Sequence, residues 1–304
     1  MTILLLGKNG QVGWELQRAL APLGVVIALG RHSSNGLCGD LAKLDDLRKT
    51  IREIKPTIIV NAAAYTAVDR AEEERELARI INAEAPAVLA EEAKARDALL
   101  THYSTDYVFD GSGTRPWQEQ DQAMPINHYG ATKYAGEQAI QATGCRHLIF
   151  RTSWVYATKG NNFLGTMAKL IEERDSLKVV GDQVGAPTGS ELIADVTALA
   201  LRETQKNPEI SGIFNLAASG ETSWHGYATF IAKWFQRQHV PLRATPDRIQ
   251  SVPTAAWPTQ AVRPLNSRLD SGKLERALGL RLPAWQRGVE RSLTERRNFT
   301  TPQD

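Results

Sequence analysis

Four apolar residues, Ile3-Leu4-Leu5-Leu6, open the chain, and a polar, glycine-rich stretch stops them at Gly7. A short apolar run without alternation, bounded by turn residues, predicts a strand buried on both faces. Val12, Leu16 and Leu20 then recur at helical spacing before Pro22-Leu23-Gly24, so a helix is predicted over 12–20. The alternation repeats. Strands are predicted over 25–29, 57–60 and 98–103. Between them lie a helix striped by Leu44, Leu47, Ile51 and Ile54 and ended by Pro56, and a long helical region over 67–96. Leu77, Ile80, Ile81, Val88 and Leu89 form the apolar side of that region. Strand and helix in turn through residue 103 predict an α/β fold with a parallel, doubly wound sheet. Right-handed crossovers place every loop that follows a strand on one edge of that sheet.

The second half is less regular. A strand is predicted over 147–151, a helix over 161–174, an ordered loop over 181–189, a helix over 191–203 and a strand over 212–217. Residues 222–238 form an amphipathic helix whose Trp224, Tyr227, Ile231 and Trp234 read as core rather than as a ligand platform. Five prolines between 241 and 264 and little periodicity predict a loop with short elements. Helices over 269–278 and 285–297 follow. Arg287, Arg291, Arg296 and Arg297 read as a solvated basic face, and residues 300–304 as a frayed polar tail.

With 304 residues there is room for one large domain or two ordinary ones, and 42% apolar residues are enough for a core. Residues 1–155 are expected to form mainly a dinucleotide-binding domain. Residues 156–304 are expected to form mainly a substrate-binding region, with some segments returning to the first sheet. A net charge of +2 gives no electrostatic case for nucleic acid. Cys38 and Cys145 form neither a disulfide framework nor a metal-ligand spacing, which suits a reducing cytosol and a cytoplasmic location. The N-terminus lacks the basic start and apolar length of a signal peptide. No apolar run approaches the roughly 18 residues of a membrane span.

Candidate chemistry begins after the first strand. Gly7, Gly10 and Gly13 stand in a G-x-x-G-x-x-G pattern between strand and helix. Glycines there let the backbone turn tightly beside a pyrophosphate, which the helix N-terminus stabilises. At the end of the second strand, a site selective for NAD usually carries Asp or Glu; this chain has Gly30-Arg31-His32-Ser33. No carboxylate is there to repel a phosphate and Arg31 can pair with one, so NADPH is favoured, with NADH as the alternative. Asp40 and Leu41 stand either near the adenine or at a plain helix N-cap. The small residues of Asn61-Ala62-Ala63-Ala64-Tyr65-Thr66 permit close ligand approach, or tight helix packing. Ser104-Thr105-Asp106-Tyr107 ends the fourth strand with hydroxyls able to bond a substrate oxygen. Tyr129 and Lys133, four apart on a helix, share one face.

GKNGQVG, NAAAYTAVD, STDYVFDG and the Tyr129-x-x-x-Lys133 pair stand in the order found in the extended short-chain dehydrogenase/reductase family, which the chain resembles. FRTSWVYA (150–157), GDQVGAPT (181–188) and RPLNSRLD (263–270) resemble its dTDP-4-dehydrorhamnose reductase branch. The resemblance implies a Rossmann-type sheet with a smaller C-terminal α/β substrate-binding region. It implies NADPH-dependent reduction of the 4-keto group of a deoxyhexose nucleotide. Thr105 would hold the 4-oxygen, Tyr129 would donate the proton, and Lys133 would bind the nicotinamide ribose and tune Tyr129. Gly10, Gln11, Val12, Asp40, Leu41, Ala64, Tyr65, Thr66 and Tyr103 would touch the cofactor, and Asp106 and Trp154 the sugar. Arg263 would pair with the diphosphate, or else form a surface ion pair. Family members are often magnesium-linked homodimers, and Glu15, Glu191 and Glu295 are the matching carboxylates. Two other readings stay open: a sugar-nucleotide epimerase or dehydratase, against which Tyr107 stands where a dehydratase commonly has Glu, and a noncatalytic NADP-binding regulatory subunit.

Overall fold

The structure, a computed structural model, describes residues 1–32 and 36–300, the last three as backbone only. Ser33 and the tail beyond Thr300 lie outside the described residues. β1 (Thr2–Leu6) leads through the glycine turn into α1 (Gln11–Leu20) and β2 (Val25–Leu29). α2 (Leu44–Ile54) and β3 (Ile58–Asn61) follow. Lys43, not Asp40, holds the N-cap position of α2.

The long helix expected over 67–96 is broken. It becomes a 3-10 turn (Arg70–Glu72), α3 (Arg75–Arg79), a π turn (Ile80–Glu84) and α4 (Ala85–Lys94). Pro86, in the first turn of α4, has no N–H to give to the carbonyl of Asn82. The ladder widens there, and the Ala85 N–H reaches back to the Ile80 carbonyl.

β4 (Leu99–Thr105), α5 (His128–Thr143) and β5 (His147–Thr152) complete the first half. The Asn127 side chain accepts from Gly130 N and starts α5. Then come β6 (Val155–Tyr156), α6 (Phe163–Glu173), β7 (Leu177–Val180), β8 (Val184–Gly185), β9 (Thr188–Gly189) and α7 (Ser190–Lys206). β10 (Gly212–Asn215), β11 (Thr222–Ser223), α8 (Trp224–Arg237), β12 (Ile249–Val252), α9 (Gly272–Leu278) and α10 (Trp285–Thr300) end the chain. The loops expected over 181–189 and 241–264 thus carry strands of two to four residues, too short for a period to show.

The main sheet runs β10-β5-β4-β3-β1-β2, parallel throughout. The alternation within the apolar runs explains how both faces are filled. Ile3, Leu5, Ile58 and Val60 join the cluster under α1 and α7, while Leu4, Leu6 and Ile59 join the cluster under α2 and α4. A third cluster, around Leu164, Ile171, Tyr227, Ile231, Trp234, Trp285 and Leu293, joins α6, α8 and α10. Because β1 is flanked by β2 on one side and β3 on the other, the strand order reverses there. The crevice outside the carboxyl ends of β1 and β3 is where such sheets bind ligands. Among the described residues no helix is long and apolar enough to cross a membrane.

Candidate active site

Gly7 has φ +87° and sits against the start of the next loop: a Cβ there would lie 2.7 Å from Ala63 N. A Cβ on Gly13 would lie 2.0 Å from the Gly7 carbonyl oxygen. Both glycines are therefore required by the turn itself. Gly10, exposed and extended, is the N-cap of α1 and offers no side-chain bond to its amides, so the helix N-terminus is open to an anion. Gln11 accepts from the Asn162 amide at 3.1 Å, and half-buried Val12 packs on the core. Gly30 is buried and Arg31 exposed at the end of β2. Asp40 closes a turn by accepting from Ala42 N at 3.1 Å, and Leu41 is core.

Ala64, Tyr65 and Thr66 follow β3 on the same edge. Tyr65 is held at both backbone groups by one side chain that sequence reasoning passed over. Asn82 Oδ1 accepts from Tyr65 N at 2.8 Å, and Asn82 Nδ2 donates to Tyr65 O at 3.0 Å and to Thr132 Oγ1 at 3.2 Å. Asn82 lies fully buried in the π turn. A single polar residue inside an apolar helical stripe, four before a proline, was the available signal. Burial raises the pKa of the Tyr65 phenol, and its bond to Glu74 adds to that.

Thr105 and Tyr129 come together where β4 ends and α5 begins. A Cβ on Gly130 would lie 2.1 Å from the Tyr107 carbonyl oxygen, so α5 abuts the turn after Thr105 without clearance. The rings of Tyr107 and Tyr129 meet edge to face at 5.6 Å. Thr105 Oγ1 accepts from Tyr107 N and donates to Asp106 Oδ1, each at 3.2 Å. Burial pushes the Tyr129 phenol up to about 12; a hydrogen bond with Thr105 opposes this and the nearby Asp106 charge adds to it. Asp106 is itself buried, with one carboxyl oxygen unpartnered. Burial pushes its pKa up to about 7 against the hydrogen bonds of Ser267 and Thr105.

Lys133 is 1% exposed, one turn past Tyr129. Its amine donates to the Tyr103 carbonyl at 2.6 Å and lies 3.2 Å from His102 Nε2. Burial pulls its pKa down to about 8, with Glu137 opposing. The Tyr103 phenol hydrogen-bonds with Thr197 Oγ1 at 2.7 Å.

The substrate-side residues divide. Trp154 has φ +49°, a conformation that bulky residues rarely adopt, and stacks on Trp224 at 3.6 Å between centroids. Trp224, expected as plain core, is therefore half-buried backing for Trp154. Tyr227, Ile231 and Trp234 are core as expected. Arg263 forms a two-pronged ion pair with Asp69, at 2.7 and 3.0 Å.

The glutamates expected to hold magnesium stand near one another and are ion-paired within the chain: burial raises the Glu191 pKa, Arg291 opposes this, and the charges of Glu295 and Glu15 add to it. Arg291 Nε stands 3.4 Å from Glu191 and 3.1 Å from Glu295, and Arg18 stands 3.4 Å from Glu15. Guanidinium groups hold these carboxylates, and among the described residues no group of acidic, His or Cys side chains is arranged to hold a metal ion.

The family model of the RmlD substrate binding domain matches residues 1–298. The chain is similar to dTDP-4-dehydrorhamnose reductase of Salmonella typhimurium, with 52% identity over 301 residues, 99% of this chain and 100% of that protein. Its fold is similar to a solved dTDP-4-dehydrorhamnose reductase of Clostridium acetobutylicum, with TM-score 0.87 and 33% identity over 97% of this chain and 99% of that one. It is also similar to the Bacillus anthracis dTDP-4-dehydrorhamnose reductase solved in complex with NADP, with TM-score 0.84 and 33% identity over the same shares of the two chains.

Proposed function

The chain belongs to the RmlD substrate-binding family, and from that premise we propose that it reduces the 4-keto group of dTDP-4-dehydrorhamnose with NADPH, giving dTDP-L-rhamnose for cell-surface polysaccharide. One observation carries the reading: the Tyr129 phenol and the Thr105 hydroxyl meet at the sheet edge that also carries the glycine turn. The cradle at Gly7 and Gly13, which any Cβ would fill, and the open N-terminus of α1 fit a dinucleotide pyrophosphate. When bound, NADPH supplies the hydride.

The chain's own residues do the rest. Thr105 orients the phenol and shares the carbonyl oxygen. Tyr129, fully protonated at neutral pH, donates its proton as negative charge develops on that oxygen. Lys133 serves the ribose and the phenol after turning from β4. Asp106 and Trp154 contact the sugar, and Arg263 the diphosphate once released from Asp69. Gly30 and exposed Arg31 support NADPH over NADH. Residues 1–155 are read as mainly the cofactor domain and 156–304 as mainly the substrate region. The exposed Trp14 and Leu199, on the packed pair α1 and α7, support a homodimer, and the two free cysteines support a cytoplasmic location. Tyr107 in place of a carboxylate counts against a dehydratase.

The test is NADPH consumption, followed at its absorbance band, with the 4-keto nucleotide. Stoichiometric oxidation is expected. Tyr129→Phe is expected to lower turnover by about 100- to 10,000-fold while still binding NADPH. No consumption by the folded wild-type protein favours the noncatalytic subunit, and undiminished turnover in the variant removes Tyr129 from the chemistry.

A further inference from the structure

A chain of three buried polar side chains crosses the sheet from the cofactor edge to Lys133. Ala63 N donates to Asn61 Oδ1 at 3.2 Å. Asn61 Nδ2 lies 3.1 Å from His102 Nδ1, and His102 Nε2 lies 3.2 Å from Lys133 Nζ. Asn61, His102 and Lys133 are each about 1% exposed, so no bulk water serves any of them.

Counting donors and acceptors fixes the protons. Ala63 N–H can only donate, so the Asn61 oxygen faces it and the Asn61 amide nitrogen faces the ring. That nitrogen donates to His102 Nδ1, which must be the bare ring nitrogen. Burial pushes the His102 pKa well below its ordinary value, so the ring is neutral. Its one proton is then on Nε2, aimed at Lys133 Nζ. An ammonium has no lone pair to receive it; a neutral amine has one, and still donates to the Tyr103 carbonyl.

We propose that His102 is a positioning residue for Lys133: its Nε2–H, set by Asn61 across the ring, holds the lysine on β4 as a neutral amine until the side chain swings toward the reaction. The inference rests on the reading above for what Lys133 does afterwards. The amine takes up a proton from solvent water as it leaves the buried site, so the charge that stabilises a tyrosinate arrives only with the ligands in place. The other ionisable groups around it are accounted for. Glu137, one turn on in α5, is bound to Arg151 of β5 at 2.6 and 2.9 Å. The Tyr103 phenol is turned to Thr197, Glu84 of the π turn is turned to Arg79, and Tyr129 is un-ionised. Burial acts in the same direction on Lys133 but by itself leaves the ammonium in the majority at neutral pH, and the His102 Nε2–H supplies the rest.

The test reads protons directly. In the cofactor-free full chain, ring 15N shifts of His102 should show Nδ1 bare and Nε2 protonated, and the 13Cε signal of Lys133 should titrate below neutral pH, lower than burial alone sets it. In His102→Gln the side-chain oxygen can turn to Lys133 and accept from an ammonium. The Lys133 titration should then move up by at least about half a pH unit, and the alkaline limb of kcat/KM, which reports the free enzyme, with it. A ring protonated on Nδ1 overturns the proposal even if the variant does not fold. An unmoved Lys133 titration in folded His102→Gln overturns it too. Failure of the reductase reading shows separately, as no NADPH consumption by the folded wild-type protein while the His102 and Lys133 signals are as expected.

Discussion

The carbonyl oxygen of Tyr107 occupies the space a side chain at position 130 would need: a Cβ on Gly130 would come within 2.1 Å of it. Neither partner can yield cheaply. The oxygen belongs to the turn that ends β4, and Gly130 N is tied to Asn127 Oδ1 at 2.8 Å. Gly130→Ala should therefore push the start of α5 off the turn and part Tyr129 from Thr105. We expect a stability loss of about 1–3 kcal/mol by urea unfolding, as for other overpacked sites. Turnover should fall by about tenfold or more, since a misplacement of about 1 Å can cost about 100-fold. A folded variant with wild-type turnover would show that the contact does not set the Tyr129 position.

Strands buried on both faces read clearly from the sequence because each is an unbroken apolar run, as at Ile3 to Leu6. The glycine turn and the pairing of Thr105 with Tyr129 were legible too, since topology alone brings strand ends to one edge. The π turn was not. Its apolar stripe is helical on both sides, and only Asn82 and Pro86 mark the break. Partners far apart in the chain leave no periodic trace. Arg263 with Asp69, Arg291 among the glutamates, and His102 with Lys133 became visible only once the chain was folded.

Trp154 holds its left-handed backbone against a strain of about 1–3 kcal/mol. Its stack on Trp224 is the compensating contact, and Trp224 is fixed in turn by Nε1 donating to Gln183 Oε1 at 3.1 Å. Trp224→Leu keeps an apolar side chain at the position but removes the ring face. An aromatic pair contributes about 0.5–1.5 kcal/mol beyond its buried area, so KM for the sugar nucleotide should rise by about 2- to 13-fold. The NADPH KM should stay put. Equal changes in both would point to a general loosening and remove Trp224 from the sugar subsite.

Arg151 and Glu137 form a fully buried ion pair that ties α5 to β5, with exposures of 3% and 0%. Arg151 also donates to the Glu119 carbonyl. Removing one charge leaves the other desolvated, which costs about 3–5 kcal/mol. Glu137→Gln should lose stability of that order in urea unfolding, and Glu137→Met combined with Arg151→Met should lose less than the single change. A single variant within about 1 kcal/mol of wild type would mean that the pair is locally hydrated.

Asp106 makes the pH dependence of stability specific. Its folded pKa, pushed up to about 7 chiefly by burial, lies well above the unfolded value near 3.9. Between those two values the folded state binds a proton that the unfolded chain has released. The slope of unfolding free energy with pH is therefore negative there. This residue's contribution favours folding below about pH 4, declines as pH rises through about 7, and is unfavourable and flat above that. Asp106→Asn abolishes the titration while keeping the side chain's shape and its hydrogen-bonding oxygen. We expect the variant to gain in Tm relative to wild type as pH rises from about 5 to 8, with the difference levelling above pH 8. A Tm difference that does not vary over that range would place the Asp106 pKa near its ordinary value, and the protonated carboxyl beside Thr105 would then have no part in holding the sugar.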